Sequence, residues 1–239
     1  MTEEDWLTDK QRPLLMYDKI AVRNANPRKA QLVSVAACRI ASWPETPPQL
    51  THAVNVLERY ADGMASDEEF AVARAQVDES LALNTDFGES GGRTFASMVS
   101  HAMSSYPVTG THFVLDFVTR IAGVRTGYGQ RRCAGQRQRR ALRHILREIV
   151  GNPFRPYLAV PSWQGGGVIQ PDGRTVMFTD AVKGIADAVH ITGDFGRLPI
   201  LADALEEAGV TDEVLLAHCR DGGPHLRGCW ALDVVRGRA

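Results

Sequence analysis

The chain has 239 residues, enough for one large domain or two small ones, and its 44% hydrophobic content is typical of a globular protein. A net charge of −1 argues against a general attraction to nucleic acid or anionic membranes, although a local patch could still bind them. No apolar run approaches the roughly 20 residues of a membrane-spanning helix, and the acidic N-terminus lacks the apolar core of a signal peptide. Four cysteines are too few for a disulfide framework, so we expect a cytoplasmic protein.

Helical signals dominate the N-terminal part of the chain. Thr2 followed by three acidic residues predicts a capped helix start, and Ser66 with Glu69 has the spacing of a capping box. Apolar residues recur at helical spacing from residue 29 until Trp43-Pro44, where proline ends the helix. The predicted helices of this part span 29–43, 52–62, 66–81, 94–103, 111–122 and 137–150, with a loop at 84–92 and a glycine-broken basic stretch at 123–136.

The C-terminal part begins after an irregular stretch at 153–173, which contains three prolines before Trp163, then a glycine run and a Pro171-Asp-Gly turn. Residues 168–169 and 175–178 are predicted to pair as a small β-hairpin across that turn. Further helices are predicted over 179–188, 198–208, 211–220 and 224–236. The predicted fold is therefore mainly α, a bundle-like array of short helices with one small hairpin. The domain prediction is a helical part at 1–152, a linker at 153–173 and a compact part at 174–239, or one continuous domain.

Four sequence blocks have a recognisable character. They are VLERYADGMASDEE in the first half, followed by REIVGNPFRP, FGRLPILADALEEAG and LLAHCRDGGPHLRGCW in the second. Together they resemble a family of bacterial proteins that has no assigned activity, whereas the region 82–140 lies outside the resemblance. The resemblance implies a natural module whose blocks belong together, and it implies no chemistry.

The segment AHCRDGGPHLRGCW, residues 217–230, contains two of the four cysteines and two of the seven histidines. If Pro224 opens a helix, His225 and Cys229 lie four apart on one helical face, opposite the end of the preceding helix. Thiolate and imidazole are ligands of tetrahedral zinc, so zinc is a possible cofactor. The predicted ligands are His218, Cys219, His225 and Cys229.

Other interpretations of this segment stay open. The C-x2–4-C pairs of standard zinc motifs are absent, and adjacent His218 and Cys219 would point about 100° apart on a helix, which favours a packed corner between helices. A Cys229–His225 nucleophile is a third interpretation, but Cys229 would lie inside a helix, where the dipole does not lower its pKa.

A basic segment lies between residues 120 and 147, where nine arginines occur and no acidic residue does. The planar guanidinium donates two parallel hydrogen bonds to an oxyanion, so such a segment could contact phosphate or an acidic protein surface. Only one aromatic residue, Tyr128, falls in the segment, which disfavours stacking on single-stranded bases. The predicted contact residues are Arg131, Arg132, Arg137, Arg139, Arg140, Arg143 and Arg147.

The string Gly88-Glu-Ser-Gly-Gly92 matches the G-x-S-x-G pattern of serine hydrolases, but no buried strand precedes Ser90, so a glycine-rich loop is favoured. Walker A, dinucleotide-binding, EF-hand and H-E-x-x-H motifs are absent. We therefore expect a non-enzymatic helical module that binds a macromolecular partner through the arginine-rich segment. The alternatives are a metal-stabilised domain or metal- or Cys-dependent enzyme centred on residues 218–229, and more remotely a Ser90 hydrolase.

Overall fold

The computed structural model describes residues 1–8, 11–21, 26–42, 46–82, 91–121, 131–160 and 164–238. Within these ranges the chain forms twelve α-helices and one three-stranded sheet, which confirms the predicted mainly α fold. The chain divides into two compact units, Met1–Arg147 and Glu148–Ala239. No helix in the described ranges is both long and apolar enough to span a membrane.

The first unit is helical throughout its described part. Its helices are α1 (Glu3–Leu7), α2 (Pro13–Ala21), α3 (Pro27–Ala41), α4 (Pro48–Ala61), α5 (Asp67–Ala82), α6 (Gly91–Ala102), α7 (Pro107–Ile121) and α8 (Arg131–Val150). The last three residues of α8 belong to the second unit. The predicted helix at 137–150 thus begins earlier, at Arg131, and includes the end of the glycine-broken basic stretch at 123–136.

The predicted helix starts form as their side chains require. The Thr2 hydroxyl accepts a hydrogen bond from the Asp5 amide, while the Asp5 carboxylate accepts one from the Thr2 amide at 2.8 Å. The Ser66 hydroxyl accepts from the Glu69 amide at 3.1 Å, but the Glu69 carboxylate pairs with Arg59. Local capping therefore explains where these helices begin.

The core of the first unit lies around α3, which packs against α4, α6 and α7. Leu32 and Leu57 are among its fully buried side chains. The helices α6 and α7 approach closely at the buried Gly110. A Cβ atom at Gly110 would collide with the His101 carbonyl and lie 2.6 Å from the Ser104 hydroxyl. Glycine is therefore required there by packing.

The second unit contains the sheet and four further helices. Its elements are β1 (Leu158–Val160), β2 (Gly167–Ile169), β3 (Thr175–Met177), α9 (Asp180–Thr192), a 3-10 turn (Phe195–Arg197), α10 (Leu198–Glu207), α11 (Glu213–Arg220) and α12 (Trp230–Val235). The strands are antiparallel in the order β1-β2-β3, with Val168 opposite Ala159 on one side and Val176 on the other. The predicted hairpin corresponds to β2 and β3. The segment 153–173, predicted as a linker, contributes β1 and β2 to this folded unit.

The predicted helix at 224–236 is wrong in its first half, because the helix α12 begins only at Trp230. Residues 221–229 form an irregular connection, which we call the ligand loop. Gly228 offers a reason within the predicted range, because it adopts a positive φ of 86°, which interrupts a right-handed helix. The expected spacing of His225 and Cys229 along one helical face therefore does not occur.

Candidate metal centre

Four side chains of the second unit converge at its core. Glu148 lies in the last turn of α8, and His218 lies in the last turn of α11. His225 and Cys229 come from the ligand loop, with Cys229 immediately before α12. One ligand atom from each of the four lies within 4.8 Å of the other three, so the group could hold a metal ion.

The distances between these atoms are short. The Glu148 carboxylate lies 2.9 Å from His225 Nδ1 through Oε1 and 3.6 Å from His218 Nε2 through Oε2. His218 Nε2 also lies 3.2 Å from Cys229 Sγ. With ordinary zinc bond lengths, the ligand atoms of a tetrahedral site are about 3.3–3.6 Å apart. These three contacts, which use both oxygens of Glu148, are within about half an ångström of those values, and one ligand atom from each residue lies within 4.8 Å of the others.

The cluster is buried. The side chains of Glu148 and His225 are 5% and 6% exposed, that of His218 is 18% exposed, and Cys229 is inaccessible. Burial raises the pKa of Glu148, but hydrogen bonds from His218 and His225, together with their charges, outweigh burial and bring its pKa to about 2. The hydrogen bond to Glu148 raises the pKa of His225. The buried Glu148 carboxylate is thus paired with His218 and His225.

A further hydrogen bond fixes the orientation of the His225 ring. Its Nε2–H donates to the backbone carbonyl of Asp221 at 2.9 Å, because a carbonyl oxygen can only accept. Nδ1 is then the nitrogen that faces Glu148 and the rest of the cluster. Histidines that ligate a metal commonly donate their other ring N–H to a carbonyl in this way.

Three of the four predicted ligands, His218, His225 and Cys229, belong to the group that could hold a metal ion. Cys219, the fourth predicted ligand, is not in the convergent group. Its side chain is fully buried among the apolar side chains of the second unit, and burial raises the pKa of its thiol to about 12, with the charge of Glu148 adding to the effect. The correction follows from helix geometry, because adjacent residues on α11 cannot both face the cluster.

Glu148 takes the position predicted for Cys219, and sequence reasoning missed it because about 70 residues separate it from His218. A signal was nevertheless present. Glu148 lies three residues after Ile145 and next to Ile149, so it falls at the apolar stripe of α8, where an acidic side chain needs a partner. It is also the first acidic residue after Asp116.

The predicted nucleophile paired Cys229 with His225, whereas the histidine whose ring nitrogen lies within hydrogen-bond distance of the Cys229 thiol, at 3.2 Å, is His218. A catalytic base uses one ring nitrogen toward the nucleophile and the other toward an orienting acid. Here Cys229 Sγ and the Glu148 carboxylate both face the same atom, His218 Nε2. Burial, followed by the charge of Glu148, raises the pKa of the Cys229 thiol well above its ordinary value, whereas a nucleophilic thiol needs a lowered one.

The predicted arginine contacts separate into three groups. Arg137, Arg139 and Arg140 are exposed on α8. Arg131 and Arg132 lie in the first turn of α8, but their side chains fall outside the described part of the structure, as does the whole of Ser90.

Arg143 and Arg147 are directed toward the N-terminal segment of the first unit. Arg143 donates to the Gln11 carbonyl at 3.2 Å, and Arg147 donates to the carbonyls of Trp6 and Thr8 at 2.8 and 2.6 Å. These carbonyls lie at and beyond the end of α1, where backbone acceptors lack partners within the helix. Both arginines therefore have a role within the fold.

No protein-family model matches the chain, and no curated protein or solved structure matches it either. The resemblance of its sequence blocks to a bacterial family stays a prediction. The functional argument therefore depends on the geometry of the second unit.

Proposed function

We propose that the second unit is a zinc-binding domain in which Glu148, His218, His225 and Cys229 hold one structural zinc ion. The observation that carries the proposal is the convergence of four potential ligand atoms within 4.8 Å at a buried point. A packed corner alone would bury apolar side chains here and avoid the desolvation of a carboxylate and two imidazoles.

The ligand chemistry favours zinc. A thiolate with two imidazoles does not suit magnesium or calcium, which take oxygen ligands. Tetrahedral sets of sulfur, nitrogen and carboxylate oxygen are typical of zinc. Four protein ligands leave no open position for a substrate, and the low exposure of the cluster agrees with a closed site. Both features support a structural role for the metal over a catalytic one.

The test is elemental analysis with native mass spectrometry, on the full chain purified without chelator or added metal. We expect about one zinc per chain, as four-coordinate structural sites bind a single ion. Cys229→Ala and Glu148→Gln should lower the zinc content strongly. The matched control is Cys219→Ala, because Cys219 is equally buried in the same core but lies outside the group. A wild-type chain that folds without zinc and takes none from solution would contradict the proposal.

A second candidate function is capture of an anionic macromolecular partner by α8. The observation that favours it is the exposure of Arg137 and Arg139 on a helix segment without acidic residues. The exposed guanidiniums could bind phosphate groups or an acidic protein surface.

This second function is tested by the salt dependence of binding to duplex DNA, used as a polyanion. Replacing Arg137 and Arg139 by glutamine should lower the slope of log affinity against log salt by about 1 per arginine, with little change in melting temperature. The control replaces Arg174 and Arg197, which are exposed in the second unit. This double substitution removes the same amount of charge. Equal losses of DNA affinity in both variants would show that the net charge of the chain, and not the α8 surface, determines binding.

A further inference from the structure

We propose that Arg227 is a positioning residue that holds the ligand loop ready for the metal. The inference rests on the proposed zinc site and adds to it a residue that is not a ligand. Arg227 lies midway between the two ligands of the loop, two residues after His225 and two before Cys229.

The guanidinium of Arg227 binds the end of α9. It donates to the His190 carbonyl at 2.9 Å and to the Ile191 carbonyl at 3.5 Å. Both carbonyls lie in the last turn of α9, which ends at Gly193 in the left-handed conformation. Carbonyls at a helix C-terminus lack partners within the helix and carry partial negative charge, so a guanidinium binds there favourably.

The two candidate ligands on the ligand loop need such an anchor more than the two on helices do. Glu148 and His218 lie on helices, and the helical backbone fixes their positions. His225 and Cys229 lie on irregular backbone, where the bonds within the loop include His225 Nε2–H to the Asp221 carbonyl and the Cys229 amide to the Leu226 carbonyl at 2.9 Å. The side chains of His225 and Cys229 also contact Glu148 and His218, but those contacts use the atoms that would bind zinc. Arg227 ties the loop to α9 through atoms that zinc does not use, so it fixes the position of the loop as well as its shape.

Preorganisation of the ligand loop should raise the affinity for the metal. A loop that is already in place loses little conformational freedom when zinc binds, whereas a loose loop must be ordered by the metal itself. Changes to residues that orient ligands typically lower metal affinity 10- to 100-fold. We expect a loss of about that size when the Arg227 bonds are removed, with the same four ligands still bound.

The experiment compares Arg227→Met with the wild-type chain by competition for zinc against a chromophoric chelator. Methionine keeps much of the aliphatic stem and removes the donors. The expected result is an affinity about 10- to 100-fold lower. Cobalt loaded at saturation should give the wild-type absorption spectrum, including the thiolate charge-transfer band, because all four ligands remain. Arg227→Lys should recover only part of the affinity. A lysine ammonium on a flexible stem cannot reproduce the fixed fork of donors with which the guanidinium reaches both carbonyls.

The control is Arg220→Met. Arg220 lies two residues after His218 and binds Asp203 and Glu206, so its loss removes ion pairs near the site without touching the ligand loop. An unchanged affinity in Arg227→Met, an equal loss in Arg220→Met, or a cobalt spectrum without the thiolate band would each overturn the positioning role. A wild-type chain that binds neither zinc nor cobalt would instead overturn the zinc site itself.

Discussion

The two units of the chain use different amounts of regular structure to form a core. In the first unit α3, α5 and α7 have 15, 16 and 15 residues, and their buried contacts are overwhelmingly apolar. In the second unit α11 and α12 have eight and six residues, and each strand has three. Short elements bury less apolar surface each, and small domains commonly need a metal or another cross-link to be stable. The ionisable cluster lies in the unit that has the shorter elements.

Metal removal should produce the largest difference in stability between the two units. Structural zinc contributes about 10–16 kcal/mol of apparent folding free energy in zinc-finger peptides. The second unit also has an apolar core, so we expect a smaller loss on chelation, on the order of several kcal/mol. Hydrogen exchange on the full chain should show faster exchange in α11, the ligand loop and α12, and unchanged protection in α3 and α7. Equal changes in both units would show that the difference between them is not caused by the metal.

Gly110→Ala should produce the next largest effect, and in the first unit alone. The added methyl group would collide with the backbone at His101, and overpacking of this kind costs about 1–3 kcal/mol. Denaturant unfolding measures the loss, and zinc content should remain that of the wild type. A variant as stable as the wild type would mean that α6 and α7 can separate at no cost.

Gly184→Ala should slightly increase the stability of the second unit. Gly184 is exposed within α9, and an added Cβ meets no atom within 4 Å. Alanine in a helix interior is more favourable than glycine by about 0.5–1 kcal/mol. The same unfolding measurement should therefore show a slight stabilisation. A destabilised variant would indicate that α9 needs a glycine at this position for a reason outside the described contacts.

The sequence predicted those parts of the fold that local interactions determine. The capped start at Thr2 forms as expected, and so do the strands on either side of the Pro171-Asp-Gly turn, whereas at Ser66 only the hydroxyl half of the predicted capping box is seen. The strand β1 escaped prediction, because its three residues gain their structure only by pairing with β2 across residues 161–166. β2 and β3 are equally short, but the Pro171-Asp-Gly turn between them indicated a hairpin, whereas the periodicity of three residues alone does not indicate a strand.

The candidate site, like the fold, was predictable only where its residues lie close in sequence. His218, His225 and Cys229 were identified because they lie close in sequence. Their arrangement was not, because Pro224 was interpreted as the first turn of a helix that in fact begins at Trp230. Glu148 reaches the cluster only through the tertiary fold, and Cys219 is excluded by the rotation of α11. Contacts between distant residues set these two outcomes, and local pattern carries little information about them.

The aromatic side chains beside the cluster give it a built-in optical reporter. The ring of Trp230 lies 4.8 Å from that of His218 and stacks on Tyr157 at a centroid distance of 4.8 Å. Gly151 leaves room for this indole, since a Cβ there would lie 3.0 Å from it. Zinc itself is spectroscopically silent, but paramagnetic cobalt held by His218 would quench the emission of a tryptophan at this distance. The tryptophan emission of the chain, to which Trp230 contributes as one of four tryptophans, would thus fall as cobalt replaces zinc.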